Sequence, residues 1–362
     1  MFLAIREIRH SPARFLLITA VVFLVSYLTY FLTALAFGLA SSYTEAIDQW
    51  DVRTVVLQSD ANGNSLASRI SPDTLAEIDE DDGQPLLLMP TVINLPDTAA
   101  GEDPRKSIFV FGLDMDGPLA PDLADGRFPT EGHEILLDGA LRSHGFAIGD
   151  TIRLPESETT WTICGFTTGT RFQASPTVLM TIDQYRTTLL PELMPNPDAL
   201  GANILVLPGI PGDPTSYTDR DLEVISIDDF IGELPGYNAQ VLTFSLMIGS
   251  LIVIISFVLG IFVYVLTLQK KNIFGIMKAQ GVRTSYIVLS GAMQTLLLTM
   301  SGVALGMALT VTTGVFLPET VPFRIEPTLY AAVTSAFVIF TLVGGLFPIR
   351  TISRIDPIEA IG

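Results

Sequence analysis

The side chains that could perform covalent chemistry are few and dispersed. The 362-residue chain holds one cysteine, Cys164, and three histidines, His10, His133 and His144. No spacing among the histidines suits a metal site. Cys164 lies in a strand-like alternation with Trp161 and Phe166 and reads as a buried, inert thiol. The acidic run Asp79-Glu-Asp-Asp82 reads as a solvated loop. GxSxG, HExxH and Walker A sequences are absent. No catalytic residue, metal ligand or resident cofactor is expected, so any ATP this chain uses must be bound by another polypeptide.

Two short segments instead suit docking. Residues 268–286 read LQKKNIFGIMKAQGVRTSY. Ile273, Phe274, Ile276 and Met277 would line one face of a short helix that Gly281 ends in a C-cap position. Such a face, with lysines beside it, can enter a partner's groove or lie on a membrane surface. The tail, residues 350–361, reads RTISRIDPIEAI. Pro357 there favours a helix start with Asp356 as N-cap.

The elements that must carry these segments are membrane helices. Mean hydropathy is +0.48 and only 16% of residues are charged, too few for a soluble protein of this length. Charge-free runs cover Phe15 to Tyr43, Leu234 to Gln269, Thr284 to Pro318 and Pro327 to Ile349. Each exceeds the roughly 20 residues a helix needs to cross a bilayer. The first is about twice the length of a signal peptide's apolar core, so it reads as a retained span. The expected fold is a membrane protein, mainly α, with four transmembrane helices and an α+β extracytoplasmic domain inserted between helices one and two. Boundaries are placed at 1–14 (amphipathic helix), 15–40 (first span), 41–236 (inserted domain), 240–268 (second span) and 269–283 (coupling segment). The third span, an outer loop, the fourth span and the tail follow at 284–316, 317–326, 327–348 and 349–362.

Charge sets the orientation. Arg6, Arg9 and Arg14 precede the first span, and Lys270, Lys271, Lys278 and Arg283 lie between the second and third. Arg350 and Arg354 follow the fourth, whereas the loop between the third and fourth holds only Arg324. Basic connectors stay inside, so both termini are expected in the cytoplasm of a multi-pass plasma-membrane protein. From Ser41 to Gly236 there are 33 acidic and 10 basic residues, which argues against nucleic acid as a partner of that domain. Gly302 and Gly306, continued at the same spacing by Thr310 and Gly314, form a small-residue stripe that serves either packing within one bundle or a dimer seam.

Within residues 41–236, alternation predicts strands at Thr54–Leu57, Ser107–Phe111, Thr151–Leu154 and Trp161–Gly165. Helical signals lie at Ser71–Ile78, Asp138–His144 and Ile182–Leu190.

The chain resembles the FtsX-like (MacB-type) permeases of ABC transporters. The resemblance rests on Lys270, Lys271, Phe274, Gly275, Lys278, Ala279 and Gly281 between the second and third spans. It also rests on Arg354, Ile355, Pro357, Glu359 and Ala360 in the tail, the phrase from Glu134 to Asp150, and a topology that covers the whole chain. It implies a homodimer that docks two copies of an ABC ATPase subunit and works among membrane lipids by nucleotide-driven closure. Lys270, Lys271, Phe274, Gly275, Met277, Lys278, Ala279 and Gly281 would form the ATPase-coupling segment, and the amphipathic start would lie on the membrane beside it.

The opening Ala4-Ile-Arg-Glu-Ile-Arg-His-Ser, together with Arg14-Phe15 and the phrases Phe109–Asp114 and Asp125–Arg127, is similar to the HrtB-type heme exporters of Gram-positive bacteria and the related DevC-type exporters. That likeness implies heme as the transported ligand. Heme iron takes His, Cys, Met or Tyr ligands, and the residues available near the outer ends of the spans are Tyr27, Tyr30, Phe31, Tyr43, Glu45 and Met247. The tyrosines read equally as packing residues and, for Tyr43, as an interfacial anchor. Competing readings are export of lipid, lipoprotein or peptide, and a mechanotransmitter that regulates a hydrolase outside the cell.

Overall fold

The computed structural model describes residues 12–78, 83–96, 104–130, 132–211, 215–269, 273, 276–277, 279–318 and 321–353. Its contacts divide into two units. One comprises residues 1–38 with 241–362, and the other residues 39–240.

Four long helices carry the apolar sequence. They are α1 (Pro12–Asp48), α2 (Tyr237–Gln269), α3 (Thr284–Phe316) and α4 (Pro327–Ser353). Three of them, α1 to α3, contain stretches long and apolar enough to cross a membrane, and α4 contributes a shorter apolar stretch, Pro327–Phe340, among the described residues. The third helix is continuous from Thr284 to Phe316. The first runs to Asp48, eight residues past the boundary expected from hydropathy at residue 40. Charge-free length measures what lipid tolerates, whereas a helix continues for as long as its backbone hydrogen bonds do.

The first membrane unit is knitted together by close backbone approach. A Cβ on Gly302 would lie 2.7 Å from the Val22 Cβ, and one on Gly306 would lie 2.7 Å from the Tyr27 amide nitrogen and collide with the Ser26 hydroxyl. Ser26 donates to the Gly302 carbonyl at 3.1 Å, and Thr310 to the Tyr27 carbonyl at 3.4 Å. Gly314 faces the Phe323 ring. Of the two uses open to the stripe Gly302-Gly306-Thr310-Gly314, the fold adopts packing inside the chain: the stripe is filled by α1 and by the α3–α4 connection.

The second unit is built on a sheet whose ten described strands are β1 (Thr54–Gln58), β2 (Gln84–Asn94), β3 (Arg105–Leu113), β4 (Leu123–Gly126), β5 (Glu134–Asp138), β6 (Thr151–Arg153), β7 (Thr160–Thr167), β8 (Thr177–Thr181), β9 (Ile204–Leu207) and β10 (Leu222–Ser226). Their order is β10-β1-β9-β2-β3-β8-β5-β7-β4, with β6 on β7. β3 shows why the sheet holds. Its Phe109, Phe111 and Leu113 enter one core with Trp50, Leu88, Phe172 and Phe230, while Ile108 and Val110 enter another with Trp161, Phe166 and Tyr185. A strand buried on both faces must be apolar at every position, and this one is from Ile108 to Leu113 apart from Gly112. A helix forms over Pro72–Glu77 because the Ser71 hydroxyl accepts from the Thr74 N–H at 3.0 Å and Pro72 starts the first turn.

Candidate functional site

In the membrane unit α1 carries Tyr27, Tyr30 and Phe31. Tyr30 is fully buried. Its hydroxyl lies 2.6 Å from that of Thr334 on α4, and its ring lies 4.9 Å from Tyr330 and 6.2 Å from Phe337. The Tyr330 hydroxyl in turn donates to the Tyr30 carbonyl at 3.2 Å. A phenol so engaged is a wall of the bundle. Tyr27 and Phe31, one turn apart, are half-buried with ring centroids 6.0 Å apart. The Tyr27 hydroxyl is 3.4 Å from that of Thr313, and Phe31 stacks 5.6 Å from Phe323. Met247, on α2, is 43% exposed.

In the other unit α1 carries Tyr43 and Glu45. The Tyr43 ring sits 6.0 Å from that of Tyr237, and Gly236 (φ +83°) faces its hydroxyl. The Glu45 carboxylate is 4.0 Å from the Arg171 guanidinium, with both side chains about one-fifth exposed. Arg171 opens a tight hairpin, Phe172 to Ser175, that grips α1. The Gln173 and Ala174 amides donate to the Tyr43 and Ser42 carbonyls at 3.1 and 2.9 Å, and Ala46 donates to the Arg171 carbonyl at 2.9 Å. Arg171, Tyr237, Thr334 and Phe323 have no motif that marks them in the sequence. Only the fold brings them to the expected residues.

Between α2 and α3, Gly281 adopts φ +84° and Val282 donates to the Met277 carbonyl at 3.0 Å. This six-to-one bond beside a left-handed glycine is a Schellman stop, the ending expected of Gly281. Ala279 is exposed, Met277 half-buried, and Ile273 and Ile276 are 56% and 46% exposed, so an apolar face is presented here. Lys270, Lys271, Phe274, Gly275 and Lys278 lie outside the described residues, as do residues 1–11 of the amphipathic start, the run Asp79 to Asp82 and the tail from residue 354; residues 12–14 belong to α1.

Cys164 is buried and donates to the Ile135 carbonyl at 3.2 Å. Burial pushes its thiol up to about 11. No group of three or more His, Cys, Asp or Glu converges as a metal site among the described residues.

Residues 244–357 match the family model described as the FtsX-like permease C-terminal domain. The chain is similar along its whole length to the "Putative hemin transport system permease protein HrtB" of Staphylococcus epidermidis and of Staphylococcus haemolyticus. Identity is 26% in each case, over 100% of this chain and 99% of theirs. An uncharacterised ABC transporter permease of Mycobacterium tuberculosis is 24% identical over the same shares. Among solved structures, the periplasmic region of MacB from Actinobacillus actinomycetemcomitans aligns with a TM-score of 0.35 and 11% identity, covering 51% of this chain and 92% of that one.

Proposed function

We propose that this chain, which carries an FtsX-like permease domain over residues 244–357, is the membrane subunit of an ATP-driven exporter whose cargo is heme. The observation that carries the reading is likeness to hemin transport permeases over the full length of both chains, inserted domain included. In this reading α1 to α4 span the plasma membrane, the 39–240 unit stands outside, and both termini are cytoplasmic. The apolar face of Ile273, Ile276 and Met277, with the lysines around it, docks a separate ATPase subunit, two copies per homodimer. ATP binding there favours one of two arrangements of the permease, and the shift expels cargo from the outer leaflet.

The membrane-unit residues assigned to cargo are Tyr27, Phe31 and Met247; on the other unit they are Tyr43 and Glu45. Tyr30 supports them as packing. A half-buried phenol can serve as an oxygen ligand to ferric heme, as tyrosine does in other heme proteins. Arg171 holds the Glu45 carboxylate in a fixed place.

The test uses the full-length chain reconstituted with its ATPase in nanodiscs and titrated with hemin. Stimulated ATP hydrolysis and a shifted Soret band are expected, the shift being lost in a Tyr27→Phe/Tyr43→Phe/Glu45→Gln variant. An assembled ATPase that hydrolyses ATP but ignores hemin removes the cargo assignment and leaves the permease. A Soret shift unchanged in the triple variant removes the assignment of these three residues to cargo.

A further inference from the structure

The sheet of the 39–240 unit is interrupted along one strand. β2 is eleven residues long, and β3 pairs with it from Leu87 to Asn94. On its other edge β9 pairs only with Gln84, Pro85 and Leu86. The next position is closed by a side chain: the Asn203 amide oxygen accepts from the Leu88 N–H at 2.9 Å, while the Asn203 backbone N–H donates to the Leu86 carbonyl at 3.0 Å. The chain then leaves, through the bridge between Ala202 and Ile70. Because Leu88 directs its N–H away from β3, the two-residue period of a strand directs the backbone groups of Pro90, Val92 and Asn94 the same way. No strand pairs with them on that side among the described residues.

This open edge borders a cleft of about 920 Å³. Leu66, Tyr185, Leu193 and Met194 contribute apolar walls, and Arg69 and Glu156 are its charged groups. Arg69 belongs to the Asn203 end, since its neighbour Ser68 accepts from the Asn203 amide at 3.1 Å and its neighbour Ile70 bridges Ala202.

We propose that the cleft binds an extended, mainly apolar peptide segment by strand addition, antiparallel to β2 and in line with β9. A strand running in that sense brings its C-terminal end to Arg69, so the segment favoured is one with a carboxylate there. An amphiphile with an anionic head would fill the same walls and meet Arg69. It would also strip water from the Val92 N–H and the Pro90 and Val92 carbonyls without replacing their hydrogen bonds, whereas a peptide backbone replaces all three. Pro90 has no N–H to offer. It blunts the edge against indiscriminate pairing and leaves recognition to the side-chain pockets and Arg69. The inference stands apart from the cargo reading, because nothing in it depends on heme.

The experiment uses the full-length protein in nanodiscs and a fluorescein-labelled decapeptide of alternating valine and threonine with a free C-terminus, followed by anisotropy. Binding is expected, weakened at least tenfold when alternate peptide nitrogens are methylated and at least tenfold by Val92→Pro. That substitution deletes an edge donor but leaves the β2–β3 ladder intact. Arg69→Gln is expected to weaken the free-acid peptide and spare its C-terminal amide. Absence of binding, equal binding of the N-methylated peptide, or a cleft that takes oleate and not the peptide would each overturn the proposal. Should Val92→Pro fail to fold, the N-methylated peptide alone decides on the unaltered protein.

Discussion

Replacing Ala174 by glycine should stabilise the 39–240 unit, although glycine elsewhere in a folded chain usually weakens it. Phe172 and Ser175 exchange both backbone hydrogen bonds at 3.0 Å, closing a two-residue hairpin with Gln173 at φ +49° and Ala174 at φ +62°. Left-handed backbone at both central positions is the twist-matched turn that Asn-Gly favours, and here Gln-Ala fills it. The surroundings over-determine this conformation. Phe172 is fully buried and edge-on to Phe109 and Phe111, at 5.0 and 5.3 Å, and both turn amides are bonded to α1. A left-handed alanine costs about 1–2 kcal/mol, and glycine gives back about 0.5–1 kcal/mol in chain entropy. The net gain is then between about 0 and 1.5 kcal/mol, centred on about 0.75 kcal/mol, or roughly 1.5–3 °C at that centre in the midpoint of a unit of this size. Thermal unfolding of the full chain in detergent, followed by fluorescence of Trp50 and Trp161, reads it. Ala67→Gly, at an exposed position with ordinary φ, serves as the control and should be neutral or destabilising. An Ala174→Gly midpoint at or below that of the parent would refute the argument that the turn holds strain.

Three other outcomes follow from the same reasoning. Gly306→Leu should destabilise the membrane unit by about 1–3 kcal/mol or more, because its Cβ meets the α1 backbone. Gly249→Leu on α2, where a Cβ meets nothing within 4 Å, should be tolerated, and equal resistance of both variants to denaturing detergent would contradict this packing. Cys164, its thiol pushed up to about 11, should react with iodoacetamide at pH 8 at least about a hundredfold more slowly folded than unfolded; equal rates would mean that the strand is open. Burial raises the Asp138 carboxyl above its ordinary 3.8, so the folded state holds that proton more tightly than the unfolded chain. Its contribution to stability is present at acid pH below that ordinary value and is lost as pH rises through the raised one. Asp138→Asn can keep the bond to the Ala140 N–H (2.8 Å) and should therefore be more stable than the parent at pH 8, with the advantage vanishing in acid. A variant less stable at pH 8 would contradict the sign.

What could be seen in advance depended on the range of the forces involved. A long helix after Arg283 was legible because Arg283 and Pro318 bracket an apolar, charge-free stretch, and α3 runs through it from Thr284 to Phe316. β1 was legible as a short β-branched apolar run, buried from Thr54 to Leu57, and β7 because Trp161 and Ile163 alternate with threonines. β2 was not among the expected strands: it contains Pro85 and Pro90, and each lies in a register that spares it a donor's role. β4, Leu-Ala-Asp-Gly, resembles a turn by composition and is a strand only because β7 supplies its ladder. Tyr30 had the composition of a ligand, and its hydroxyl is taken by Thr334, 304 residues away. Glu45 meets Arg171 through the same kind of long-range pairing, which local spacing cannot encode.

The use of the glycine stripe inside the chain bears on how two copies could associate. A GxxxG seam serves one close neighbour at a time, and at Gly302 and Gly306 that neighbour is α1, close enough that any side chain would collide. A homodimer of the kind proposed must then use other surface. On α2, Leu242, Leu246, Phe257 and Ile261 are each more than 60% exposed, and Gly249 faces open space. In water such a face would be driven into a core, but in lipid it has no hydrophobic reason to leave the acyl chains, so association there would rest on shape and on the small residues along it. Within the chain α2 is anchored along its other face, where Ile252 and Ile255 are buried and the Ser256 hydroxyl donates to the Phe340 carbonyl at 2.8 Å, so the exposed face is the one left for a second copy in the proposed homodimer.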